Sequence, residues 1–148
     1  AVTAIGLIDE NRGVMDRLIR HQARAHKRLP WETLFFDEDF SHPLGTGEAK
    51  EFASALEMVR LGPSASNKQP WRIIRQGNQW HFYLQRTPNY PPGILKLADL
   101  QRVDIGIAMC HFALTTSAQG LAGKWESRDP ALPLPDKNTR YTITWVPQ

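Results

Sequence analysis

The residues best suited to chemistry lie together at 62–72, which read GPSASNKQPWR. Ser64, Ser66, Asn67 and Gln69 supply hydroxyl and amide groups, so the stretch carries donors and acceptors side by side. Pro63 and Pro70 restrict the backbone at both ends and can hold those groups in place. Such a loop suits a flat heterocycle edged with carbonyls and ring nitrogens. It can also be a plain helix-to-strand connection. Cys110 and His111 are adjacent, but neighbouring helical residues diverge by about 100°, so core packing is expected rather than a thiolate pair. His21 and His26 do not have the spacing of a helical zinc pair, and no HExxH occurs, so no metal site is expected. No general base or nucleophile stands out, and no catalytic residue is assigned. Trp71, Trp80 and Trp125 are expected to be core anchors.

The elements that must position this loop follow from pattern. Residues 2–6 predict a short buried strand ending at Gly6. Residues 11–27 predict an amphipathic helix with Val14, Met15, Leu18 and Ile19 on one face and arginines on the other, ended by Pro30. Residues 31–46 read as irregular, with an acidic patch at 37–39. A second helix is predicted over 47–61, with Phe52, Leu56 and Val59 inward and Glu57 and Arg60 as a surface pair. Strands over 71–76 and 80–86 flank Gly77-Asn78, a hairpin signal. Residues 87–93 are loop. The longest helix is predicted over 97–119, closed by Gly120. Within 105–114 eight of ten residues are apolar, which predicts a helix buried on nearly all sides. Residues 123–128 and 141–146 read as strands, the latter alternating around threonines. Helices mixed with hairpin signals predict an α+β fold with a mostly antiparallel sheet packed against helices, one of them long, central and buried.

Composition narrows the function classes. The chain has 148 residues, enough for a real core, and 41% hydrophobic content suits a globular protein. No apolar run approaches the ~20 residues of a membrane span, so no membrane role is expected. The formal charge of +3 is modest, and the arginine-rich stretch 12–28 reads as a solvated face, so no nucleic-acid partner is expected. A single cysteine excludes an internal disulfide and fits a reducing cytoplasm. The start at Ala1, running almost at once into a strand-like segment, reads as a chain with residues missing upstream.

Pro63, Ser64, Asn67, Gln69, Pro70 and Trp71 fall on a pattern that resembles the Pro-Ser-x-x-Asn-x-Gln-Pro-Trp signature of FMN-dependent nitroreductases. Three further segments resemble that family. They are Ala4-Ile5-Gly6, the basic run His26-Lys27-Arg28-Leu29-Pro30, and the stretch from Asp104-Ile105-Gly106 through Gly123-Lys124-Trp125. Their order differs from that of a simple member, because the Ala-Ile-Gly strand precedes the loop and no Arg-x-Ser-x-Arg segment occurs. The order resembles a nitroreductase branch with two half-domains fused in one polypeptide. On that resemblance, residues 1–46 end a first half-domain and 47–148 form the second. A missing upstream half-domain or partner chain would supply the rest of the site, as a dimer or an intramolecular pseudo-dimer.

The resemblance implies an oxidoreductase that passes hydride from NAD(P)H through FMN to a small organic acceptor. It implies Lys27 and Arg28 at the flavin phosphate, and Pro63, Ser64, Ser66, Asn67 and Gln69 at the ribityl chain or ring. Lys27 and Arg28 can equally be solvated cations favoured by a helix C-terminus. Glu126, Ser127 and Arg128 stand where the family commonly shows small residues. That departure keeps open a flavin-binding or structural module without turnover.

Overall fold

A computed structural model describes residues 27–89 and 99–148. The strand expected over 2–6, the helix over 11–27 except Lys27, and part of the loop over 87–93 lie outside the described residues. The chain folds as α+β. Its elements are a one-turn helix α1 (Trp31–Leu34), β1 (Phe35–Asp37), α2 (Ala53–Leu61), β2 (Trp71–Gln76), β3 (Gln79–Gln85), α3 (Leu100–Ala118), β4 (Gly123–Glu126) and β5 (Thr139–Pro147). The five strands form one mixed sheet in the order β1-β2-β3-β5-β4. β1 runs parallel to β2, with Phe35 opposite Ile73, and the other pairs are antiparallel.

The hairpin forms as its pattern predicts. Gly77 takes φ +58 at the turn, where a side chain would be strained, and Trp71 stands opposite Leu84 at the far end. α3 ends as expected too. Gly120 adopts φ +73, its N–H reaches Ser117 O, and Leu121 N–H reaches Thr116 O. That is the paired closure that satisfies the last helical carbonyls.

Residues 31–46 are not irregular throughout. Trp31 and Leu34 bury one side of α1, and Phe35 continues straight into β1. Leu44 N–H donates to Phe35 O, and Trp31 Nε1–H donates to Leu44 O, closing the return of the chain. Three residues of strand give too short an alternation to read from sequence. The helix expected from 47 begins later. Glu48 Oε2 accepts from Gly45 N–H in a preceding turn, and a 3-10 turn over Lys50–Phe52 leads into α2. Glu57 and Arg60 pair at 2.7 and 2.6 Å, as expected.

α2 and α3 cover one face of the sheet. Phe112 of α3 is the hub: it stacks on Phe52 and meets Trp80, Phe82, Trp125 and Trp145 edge-on or tilted. Burying such a ring is worth roughly 1.5–3 kcal/mol. Trp71 and Trp80 are buried and Trp125 packs against the same core, so the tryptophans act as anchors. The other face is more polar: His81 Nδ1 meets Thr144 Oγ1 at 2.7 Å, and Tyr83 packs on Phe40 and Tyr141.

The expectation that α3 is buried on nearly all sides fails. Its inner face, with Asp104, Ile105, Ala108, Phe112 and Thr116, is buried, while Val103 is 54% and Leu114 67% exposed. Cys110 lies on this outer side and is exposed, so it does not pack in the core. Apolar content sets how much of a helix is able to be buried, not how much has a neighbour. No helix among the described residues is long and apolar enough to cross a membrane.

Candidate functional site

The loop between α2 and β2 is built from left-handed turns. Gly62 leaves α2 with its N–H on Val59 O, and Ser64 is extended. Ser66, Asn67 and Gln69 then take φ of 50, 53 and 48. Non-glycine residues adopt this conformation only where their surroundings fix it. Here Ser64 does much of the fixing: its carbonyl accepts from Asn67 N–H at 2.9 Å, and its Oγ accepts from Gln69 N–H at 2.9 Å.

Three further straps hold the loop. Gln69 is buried, and its Oε1 accepts from Leu29 N–H at 2.8 Å while its Nε2 donates to Asn67 Oδ1 at 3.2 Å. Asn67 Nδ2 donates to Lys27 O at 2.7 Å. On the helix side, Asp104 Oδ1 accepts from Ala65 N–H at 2.9 Å. Asp104 is buried and its Oδ2 has no partner among the described residues. Burial pushes its carboxyl upward, and the Ala65 N–H opposes this only in part. At the β2 end, Arg72 Nη1 donates to Gln69 O and Trp71 O. Burial pulls that guanidinium down to about 10, with Asp136 opposing.

The structure thus brings the expected site residues into one corner. Lys27 and Arg28 adjoin Asn67 and Gln69, and Ser64 closes the loop from within. Pro63 and Ser66 are the outward members, Pro63 exposed at the start and Ser66 exposed at the turn. Arg28 does more than face outward. Its Nε and Nη2 donate to Leu61 O at 3.2 and 3.1 Å, at the C-terminal end of α2, and its Nη1 donates to Asn67 Oδ1 at 3.3 Å. Lys68, exposed on the same loop, adds a third cation beside Lys27 and Arg28. Sequence reading passed over Lys68 and the anchoring roles of Asp104 and Arg72. A carboxylate at one position of an apolar helix was the signal available for Asp104.

Glu126 ends β4 and Arg128 follows it. Glu126 is bracketed by Lys124 and Arg128, each at 2.9 Å, and Arg128 N–H donates to the Tyr141 hydroxyl. These side chains are engaged with one another along an edge strand.

No curated protein sequence matches the chain. Among solved structures, the chain is similar to a crystal structure described as a putative nitroreductase from Thermotoga maritima. The identity is 24% and the TM-score 0.50, and the match covers 80% of this chain and 41% of that one. At that identity the likeness concerns the fold, and the chain spans less than half the length of that relative. The family model described as "Putative TM nitroreductase" matches residues 8–116. With that much of its length matched, through the loop, the hairpin and nearly all of α3, the chain belongs to this nitroreductase family.

Proposed function

We propose that the chain is part of an FMN-dependent oxidoreductase that carries hydride from NAD(P)H to a small organic acceptor. The observation that carries this reading is the strapped loop of residues 62–70, set beside three cations in a chain of nitroreductase family. The donor chemistry suits FMN: Lys27, Arg28 and Lys68 offer charge for a phosphate, and Pro63 and Ser66 stand exposed at the loop's edge. Asn67 and Gln69 act chiefly by orienting this edge, because their amides hold the 27–29 backbone. Bound flavin supplies the hydride chemistry, and the protein supplies position and charge.

The exposed apolar side of α3 supports a second half packed against it, on the same polypeptide or on a partner chain. On this reading residues 1–46 end the first half and lend β1 to the sheet of the second. The engaged Glu126 and Arg128 favour a second reading, a flavin-binding module without turnover.

One preparation distinguishes the readings. The protein should be yellow with a flavin spectrum. Anaerobic NADH or NADPH should bleach it, and a nitroaromatic acceptor should restore the colour. Colour without bleaching selects the module without turnover. A colourless protein that takes up no FMN rules out both.

A further inference from the structure

We propose that a concavity on the β5 side of α3 is a second binding site, specific for a dianionic phosphate monoester with a small apolar body. Its volume is about 300 Å³, and it is lined by Leu84, Arg86, Arg102, Ile105, Arg140 and Tyr141 with Thr142. The floor is apolar, because Leu84 and Ile105 belong to the core. Three arginines line it. They come from just past the end of β3, the first turn of α3 and the start of β5, and Arg140 stands cross-strand from Leu84.

The charge balance is uneven. Arg86 is gripped by both oxygens of Asp99. Asp99 also feels Arg102 through space and accepts from its backbone N–H. The Arg102 and Arg140 side chains make no hydrogen bond or ion pair among the described residues. One carboxylate thus faces three guanidiniums, which leaves about two positive charges over an apolar floor. Three arginines at one hollow suit the oxygens of a phosphate, which arginine takes two at a time. The loop corner lies on the other side of α3, where Asp104 holds Ala65, so the two sites are distinct.

Titration of the full chain with phenyl phosphate, followed by 31P NMR, tests this. Phenyl phosphate should bind several-fold more tightly than inorganic phosphate, which lacks a body for the floor, and than benzoate, which has one charge. Arg102→Ala and Arg140→Ala should each weaken phenyl phosphate roughly tenfold, with the melting temperature unchanged. Asp99→Asn should tighten it, because asparagine caps a helix as well as aspartate while releasing Arg86. Absence of saturable binding, or equal affinity in wild type and the Arg102→Ala/Arg140→Ala double variant, overturns the proposal. So does an unchanged affinity in Asp99→Asn.

Discussion

The two flanks of α3's first turns handle polarity in opposite ways. On the β2 side, the amides of Asn67 and Gln69, the Ser64 hydroxyl and the Asp104 carboxylate are turned inward on backbone groups. On the β5 side, Arg102 and Arg140 reach solvent over an apolar floor. The first flank uses polar groups to fix a backbone shape. The second leaves charge in reserve. A residue's polarity therefore says little about its role until its partner is known: Gln69 in a family signature serves the fold first, whereas Arg140 in an ordinary strand does not.

The contrast breaks most visibly at Gln69. Gln69→Ala leaves Leu29 N–H without its acceptor and opens a buried space, so it should cost about 3 kcal/mol, at the upper end for an orphaned buried donor. Urea denaturation measures it. The same experiment on Arg102→Ala should move stability by less than about 0.5 kcal/mol. Equal losses at the two positions would erase the distinction between the flanks.

Arg28→Lys sharpens the comparison next, because Arg28 both braces Leu61 O and stands where the phosphate is proposed. If it grips phosphate, FMN affinity should fall roughly tenfold, which is about 1.4 kcal/mol. Riboflavin, without the phosphate, should bind as before. Equal losses for the two ligands would confine Arg28 to bracing the loop.

The smallest expected effect is a pH slope at Asp104. Its carboxyl is raised by burial above the ordinary 3.8, so the folded state holds its proton more tightly than the unfolded chain. Its contribution is fully present below about 3.8 and is lost as pH rises through the folded-state value. Asp104→Asn keeps an oxygen for Ala65 N–H and cannot ionise. Its stability relative to wild type should therefore improve as pH climbs. Parallel pH profiles for the two proteins would show that the buried carboxyl does not carry this cost.

Much of the framework was legible because periodicity survives translation into three dimensions. β2 occupies the predicted residues, β3 is displaced by one, and Gly120 closes α3 as its position implied. What stayed illegible depends on neighbours distant in sequence. β1 is too short to show a period and exists because β2 lies beside it. The outer side of α3 reads like the inner side, since Val103 and Leu114 are as apolar as Ile105 and Phe112. Within the site, the loop's residue types were visible, but not that Gln69 would reach forty residues back to Leu29. The arginine concavity joins residues 86, 102 and 140, a spacing that no local pattern marks.

The run of left-handed residues at 66, 67 and 69 has a thermodynamic consequence. Each such residue costs on the order of 1 kcal/mol in a free chain. The loop therefore holds its shape only while segment 27–29 and Asp104 are docked on it, and the cost is met when the protein folds rather than when a ligand arrives. A ligand that meets this edge finds it already ordered. The freezing of loop conformations that weakens many encounters is largely absent, and affinity there should depend more on contact quality than on entropy lost by the protein.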